Sequence, residues 1–143
     1  MAGSQTALDA AFAALRHRDR SAAELDARLL AKGFHEGERQ DALETLRRTG
    51  VLDDRRFAES RGAGLAARGA GDALIRHGLV QAGVDAELID VVIGALEPES
   101  QRALRIADRR GYGPKTARYL SGKGFGEDSL AALVANGQGN ELG

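Results

Sequence analysis

Apolar residues recur along this chain at helical spacing, in short runs that end at glycine. In the first predicted helix, residues 7–17, they fall at positions i, i+3, i+4 and i+7, which are Leu8, Ala11, Phe12 and Leu15. This spacing indicates a helix with one buried face. Alternation of apolar and polar residues, the pattern of a half-buried strand, never extends beyond a few positions. The sequence therefore predicts an all-α protein.

The second predicted helix carries signals at both ends. Ser21 followed by Glu24 forms a capping box, in which the two side chains accept hydrogen bonds from amides at the helix start. Gly33 follows the last apolar position and can adopt the positive φ that ends a helix. We expect Phe34 to pack beneath this end.

The segment that ends at Gly33 and Phe34 occurs three times. Residues 21–34, 71–84 and 112–125 align without a gap, so that Gly33, Gly83 and Gly124 share one position. Repetition at a spacing of about 40–50 residues is typical of tandem helical units that bury one another. We expect three-helix modules at 1–52, 53–97 and 98–136, and a frayed tail at 137–143.

Within the second module, Gly62 and Gly64 are expected to interrupt the helix that starts after Asp53. In the third module, Pro114 occupies the favoured first position of a helix.

The composition limits the class of protein. Its 20 basic and 21 acidic residues nearly balance, so overall charge predicts neither a nucleic-acid-binding nor a membrane-surface protein. The absence of cysteine excludes disulfides and thiol catalysis. No run approaches the roughly 20 apolar residues of a membrane span, and the N-terminus lacks the features of a signal peptide. We expect a cytoplasmic protein.

Side chains with catalytic or metal-binding chemistry are scattered. His17, His35 and His77 fall in different modules without a second ligand at metal-binding spacing. Asp53 and Asp54 could bind a cation, but adjacent aspartates at a helix start are explained more simply as a cap. The serines have no base and acid arranged for nucleophilic attack. We expect no catalytic residue, no metal site and no cofactor, and therefore no enzyme.

Positive charge is concentrated late in the chain. Residues 102–123 contain seven basic residues and one acidic residue, a local net charge of +6, whereas residues 53–97 contain five basic and eight acidic residues, a net charge of −3. Positions 102, 105 and 109 project from one helix face. Such a face fits a phosphate backbone or an acidic protein surface, and a merely solvated face is the alternative.

The candidate partner-binding residues form two clusters. The C-terminal cluster consists of Arg102, Arg105, Arg109, Arg110, Lys115, Arg118 and Lys123, and the weaker N-terminal cluster of Arg16, Arg18, Arg20 and Arg28. Tyr112 and Tyr119 flank the C-terminal cluster, where they either stack on bases or pack in the core.

Several segments together resemble the RecX family of bacterial recombination regulators. The resemblance is carried by AALRHRDRSAAELDARLLAKGF (13–34), LRRTGVLDDRRFAES (46–60), LVQAGVDAELIDVVIGAL (79–96) and ARYLSGKGF (117–125), and it extends over residues 7–135. The most specific part runs from Gly50 through Leu52, Asp53 and Asp54 to Phe57 and Ala58, together with the capping-box helix that ends at Phe34. The resemblance implies three tandem modules of helix-turn-helix type in an elongated, curved array.

The resemblance also implies a function and a partner. A protein of this family is expected to bind the RecA filament on single-stranded DNA and to restrain its ATPase, strand-exchange and co-protease activities in homologous recombination, DNA repair and the SOS response. It would bind along the filament groove as a monomer, with direct binding to single- or double-stranded DNA as a further expectation. Two alternatives stay open, a helix-turn-helix protein that reads duplex DNA and a helical scaffold for another protein.

The middle module departs from this pattern. Between Ser60 and His77 the chain has small residues and Asp72 where we expect relatives to be richer in basic side chains. This composition argues against contact between the middle module and a filament.

Overall fold

The computed structural model describes the backbone of residues 4–142 and the side chains of residues 4–135. Within this range the chain forms nine α-helices and no β-strand, which confirms the predicted all-α class. The helices are α1 (Ala7–His17), α2 (Ala22–Ala31), α3 (Glu36–Arg48), α4 (Asp54–Ala67), α5 (Asp72–Gln81), α6 (Ala86–Ala95), α7 (Glu99–Arg110), α8 (Pro114–Gly122) and α9 (Glu127–Leu142).

Each set of three consecutive helices encloses its own hydrophobic core. We call α1–α3 module 1, α4–α6 module 2 and α7–α9 module 3. Each extensive helix–helix contact joins two helices of the same module. The accessible surface of 8643 Å² is about a fifth larger than the roughly 7,100 Å² expected for a compact monomer of 15.1 kDa. The largest core side chains are Leu25, Leu29 and Leu46 in module 1, Phe57, Ile75, Leu79 and Ile89 in module 2, and Leu120 and Leu133 in module 3.

The helix starts follow the signals in the sequence. Ser21 and Glu24 form the predicted capping box of α2, with the Glu24 N–H donating to Ser21 Oγ at 3.0 Å. Asp53 caps α4, and Pro114 is the first residue of α8, as predicted. Gly33 follows α2 with a φ of +94°, and Phe34 packs, partly buried, against the module 1 core.

Helix α1 buries a different face from the one predicted. Phe12 is 41% exposed, while Leu8 and Leu15 only flank the core. Close packing of α1 against α2 and α3 favours small side chains at the contact, so the alanines occupy the interface and the bulkier residues lie at its edge. The buried positions are Ala7, Ala10, Ala11 and Ala14.

Helix α4 runs unbroken, so the predicted interruption at Gly62 and Gly64 is wrong. Gly62 is buried, and a Cβ atom at this position would lie 3.0 Å from Cγ1 of Val92 on α6. The glycine allows α4 and α6 to pack closely, and this contact offsets its helix-propensity cost of about 1 kcal/mol.

Helix α9 also extends further than predicted. The tail expected to fray at 137–143 instead continues the helix to Leu142, and Gly143 lies outside the described residues. The segment contains Gly137 and Gly139 but no proline. Glycine lowers helix propensity but keeps its N–H, whereas proline would remove a hydrogen bond of the helix.

The junction between modules 1 and 2 joins the ends of two helices. Ser21 Oγ, at the start of α2, donates a hydrogen bond of 2.5 Å to the carbonyl oxygen of Ala82, at the end of α5. The next amide, Ala22 N–H, donates to Asp54 Oδ1 at 2.7 Å. The N-terminus of α2 thus meets both the end of α5 and the first residue of α4.

The junction between modules 2 and 3 repeats this arrangement one module further along. Gly71 N–H, at the start of α5, donates to the carbonyl oxygen of Lys123, at the end of α8, at 2.8 Å. Asp72 N–H donates to Glu99 Oε2 at 2.6 Å. The middle helices α2, α5 and α8 therefore meet end to end. At each junction the positive end of one helix dipole faces the negative end of another. A carboxylate from the next module also accepts a hydrogen bond from the N-terminal helix end.

The repeated glycines make this close approach possible. A Cβ atom at Gly83 would lie 2.4 Å from Cβ of Ala23, and one at Gly124 would lie 2.7 Å from the amide nitrogen of Leu74. Gly83 and Gly124 also have φ values of +77° and +91°. The glycines that end α5 and α8 are thus also the points at which the preceding module docks.

Glu99 connects three segments at the second junction. Besides the Asp72 amide, its carboxylate accepts hydrogen bonds from Gly126 N–H at 2.9 Å and from Ser129 Oγ at 2.7 Å. Burial alone would raise the pKa of Glu99. The three hydrogen bonds and the charge of Arg102 outweigh burial, and the pKa of Glu99 lies below its ordinary value of 4.5.

Replacement of Gly124 by alanine should destabilise the protein, because the new Cβ atom meets the α5 backbone and the φ angle is positive. We expect Gly124→Ala to lower the free energy of unfolding by about 1–3 kcal/mol, measured by urea denaturation. Gly122→Ala is the matched control, since a Cβ atom there meets nothing within 4 Å and the backbone is helical. Equal stability of the two variants would contradict the proposed role of Gly124.

The lowered pKa of Glu99 should make the second junction sensitive to acid. The ionised carboxylate of Glu99 is stabilised more strongly in the folded state than in the unfolded state. This contribution to stability is present above the unfolded pKa and is lost as pH falls through the folded pKa. We expect Glu99→Gln to be less stable than the parent protein at neutral pH and to lose less stability on acidification. Urea denaturation at neutral and acid pH measures both effects. Glu44→Gln, an exposed carboxylate on α3, should behave like the parent protein.

Candidate partner-binding surface

Arg102 belongs to the second junction, which contradicts its predicted place in an exposed stripe. Only 7% of the residue is accessible. Its guanidinium group donates to the carbonyl oxygens of Ala70 at 2.8 Å and Glu97 at 2.9 Å, and it pairs with the carboxylate of Asp72. Helical spacing placed Arg102 on the same face as Arg105, but it could not show that module 2 covers that end of the face.

Arg20 is also removed from the predicted surface. It is 7% accessible, and its Nε donates a hydrogen bond of 3.3 Å to the carbonyl oxygen of Ala14. Burial is the main cause that lowers the pKa of Arg20, and the positive charges of Arg18 and Arg28 add to it. Arg20 therefore ties the loop after α1 back onto that helix.

The remaining cations of the C-terminal cluster lie at the surface of module 3. Arg105 pairs with Glu97 at 2.6 Å, and the guanidinium carbon of Arg110 lies 3.6 Å from the ring centroid of Tyr119. Tyr112 packs partly buried against the module 3 core and donates a hydrogen bond to Asp108. Within residues 4–135, five cations of this cluster form no ion pair, namely Arg109, Arg110, Lys115, Arg118 and Lys123.

The N-terminal cluster retains three surface cations. Arg16 and Arg28 are exposed and form no ion pair in the described part of the chain. Arg18 lies 4.0 Å from Glu24, at the limit of an ion pair, and exposed pairs of this kind contribute little to stability. All three side chains are therefore available to an anionic partner.

A groove between modules 2 and 3 brings part of the C-terminal cluster next to apolar side chains. A cavity of about 260 Å³ lies between the end of α4 and α7, and an adjoining cavity of about 260 Å³ shares Ala67, Gly69, Ile106 and Arg109 with it. We call the two cavities together the module 2–3 groove. The first cavity adds Ala63, Ala66, Leu96, Glu97, Arg102 and Arg105, and the second adds Arg68, Arg110 and Tyr119.

Arg68 is a surface cation that the sequence analysis missed. It is the residue after α4, in a module whose net charge is negative. The packing of α4 near α7 brings it to the same cavity as Arg109 and Arg110. No pattern in the sequence indicates this neighbourhood, because it depends on the angle between two modules.

The chemistry that this surface offers is the binding of anions. Within the described residues no group of three or more histidine, aspartate and glutamate side chains could hold a metal ion.

Asp53 accepts amide hydrogen bonds from Arg55 at 3.0 Å and Arg56 at 3.1 Å, which confirms the cap interpretation. His35 caps α3 by accepting the Glu38 amide at 3.4 Å. None of the helices over this range is sufficiently long and apolar to cross a bilayer.

Comparison with known proteins gives relatives along nearly the whole chain. Residues 53–93 match the family model for the second three-helix domain of RecX. The regulatory protein RecX of Halorhodospira halophila is 31% identical over 144 residues, covering 94% of this chain and 89% of that protein. The regulatory protein RecX of Trichlorobacter lovleyi is 33% identical over 151 residues, covering 93% of this chain and 98% of that protein.

Solved structures agree in fold. The crystal structure of RecX from Lactobacillus salivarius superposes with a TM-score of 0.81 over 92% of this chain and 94% of that chain, at 18% sequence identity. A second crystal structure of a regulatory protein RecX gives a TM-score of 0.74 over 91% of this chain and 70% of that chain, at 21% identity. On the strength of the full-length sequence relatives, this chain belongs to the RecX family of regulatory proteins.

Proposed function

We propose that this protein binds the RecA filament on single-stranded DNA and restrains its ATPase, strand-exchange and co-protease activities. The observation that supports this most directly is the row of three modules with separate cores, joined end to end through α2, α5 and α8. A row of modules presents a long surface that can contact successive protomers of a helical polymer. A compact domain of the same mass would reach fewer protomers.

The proposed contacts are the surface cations of modules 1 and 3. Three of them, Arg109, Lys115 and Arg118, are exposed and form no ion pair within residues 4–135, so a partner's anionic groups can pair with them without first breaking an internal bond. Arg16, Arg18 and Arg28 offer a second contact on module 1. Arg20 and Arg102 support the structure and are excluded from the proposed interface.

In this mechanism the protein acts by binding and catalyses no reaction. A rigid row of modules lodged across neighbouring protomers would oppose both their addition and the movements that accompany ATP turnover, and the ATP would be hydrolysed by RecA itself. A single copy would suffice, in the cytoplasm, where the filament forms. Direct binding to DNA would be electrostatic and would weaken with salt.

Reading of duplex sequence by a middle helix has less support. On α5, Arg76 is paired with Asp90 at 2.8 Å. The exposed positions Leu74 and Val80 on the same helix are apolar, whereas base edges are read mainly by arginine, asparagine and glutamine side chains. The contacts in module 2 therefore favour packing over base recognition.

Reversal of two free charges should weaken inhibition of RecA. We expect the parent protein to lower the rate of ATP hydrolysis by RecA on single-stranded DNA, and Arg109→Glu with Arg118→Glu to need about tenfold more protein for the same effect, because two contacts become repulsive. The measurement is a titration of the protein into the ATPase reaction, with co-sedimentation to confirm binding.

The charge-matched control is Arg47→Glu with Arg48→Glu, at the exposed end of α3 and outside both clusters. It should inhibit like the parent protein once its helical content has been checked by circular dichroism. An ATPase rate that stays constant at saturating parent protein would overturn the proposed function. Equal potency of the Arg109/Arg118 variant would overturn the assignment of these two residues.

A further inference from the structure

We propose that the module 2–3 groove binds an acidic, leucine-rich peptide segment of a protein partner, with aliphatic side chains on its floor and carboxylates on its arginine rim. The groove shares Arg109 with the surface proposed above. The inference concerns a different question, the chemistry of the bound segment. Its peptide-binding measurements use no RecA, so either proposal can fail while the other stands.

The floor of the groove is aliphatic. Ala63, Ala66 and Ala67 follow one another at helical spacing and line the same cavity as Leu96 and Ile106. Their short side chains leave a space of about 260 Å³ that is open to solvent along the exposed end of α4. A leucine or isoleucine side chain from a partner would fill this space and remove apolar surface from water.

The rim of the groove is strongly cationic. Arg109 lines both cavities, and Arg68 and Arg110 line the second. Among the described residues that line the groove, Glu97 carries the only carboxylate, and this group is already bound to Arg105 at 2.6 Å. The groove therefore carries guanidinium groups in excess of acids, and charge complementarity points to an anionic occupant.

The details favour a peptide over single-stranded nucleic acid. Nucleobases bind to proteins by stacking on free aromatic faces. Among the side chains of residues 4–135, Tyr119 is the only aromatic one that lines the groove. The guanidinium of Arg110 already occupies one face of its ring, 3.6 Å from the ring centroid. Carboxylates, in contrast, match the planar donors of arginine and pair with them bidentately, and the alanine floor suits aliphatic side chains.

The test measures binding of fluorescent probes to the full chain by anisotropy. The first probe is a short peptide in which leucines alternate with pairs of glutamates, and the second replaces each leucine by serine at unchanged charge. The third probe is an oligothymidine of the same net charge. We expect the leucine–glutamate peptide to bind at least about tenfold more tightly than either of the others.

Two variants locate the binding. Ala67→Phe should fill the floor without changing the charge and should lower the affinity of the leucine–glutamate peptide about tenfold. Arg109→Gln should weaken both peptides, because it removes a rim charge without adding bulk. Ala27→Phe, an equivalent substitution on the exposed face of α2, is the matched control and should bind like the parent protein.

Three results would overturn the proposal. They are equal binding of the serine peptide, tighter binding of the oligothymidine, and unchanged affinity in both groove variants. Thermal unfolding followed by circular dichroism shows whether each variant is folded, and Arg109→Gln keeps the test decisive if Ala67→Phe is not. The ATPase titration, repeated with Ala67→Phe, separates the two proposals. Retained inhibition of RecA by a variant that has lost peptide binding supports a groove that binds its peptide independently of the inhibitory surface.

Discussion

The structure depends on the meeting of helix ends at its two junctions. At each one, the N-terminus of a middle helix contacts the C-terminal turn of the next middle helix, and a carboxylate from the following module accepts its first free amide. Amides and carbonyls at helix ends lack partners within their own helix, so the modules satisfy one another's backbone. Separate cores can be held in a fixed row in this way without a shared hydrophobic centre, and every proposed role of the surface requires that row.

The two junctions solve the same problem with different chemistry. The first uses the hydroxyl of Ser21 and the carboxylate of Asp54. The second uses the carboxylate of Glu99 and adds a buried guanidinium, that of Arg102, which pairs with Asp72. A buried charge is tolerated only when it is paired and hydrogen-bonded. An ionic network therefore adds to the helix-end hydrogen bonds that set the relative position of modules 2 and 3, and with it the width of the groove.

Local features of the fold could be predicted from the sequence, and relations between modules could not. The capping box at Ser21, the cap at Asp53 and the positive φ at Gly33 are written in a few adjacent residues. The burial of Arg102 and the role of Arg68 depend on how one module lies against another. Helical periodicity gives the face of a side chain but does not identify what covers it, so an arginine that holds a junction looks the same as one that binds a partner.

The start of α8 differs in chemistry from the starts of the other two middle helices. In the gapless alignment of the three repeated segments, Pro114 corresponds to Ala23 and Ala73. At the second junction the N–H of Ala73 donates to the carbonyl oxygen of Gly124 at 3.2 Å. Pro114 has no N–H, so α8 lacks the donor that α5 uses to contact its neighbour. The imino acid therefore also leaves no backbone donor without an acceptor at this position.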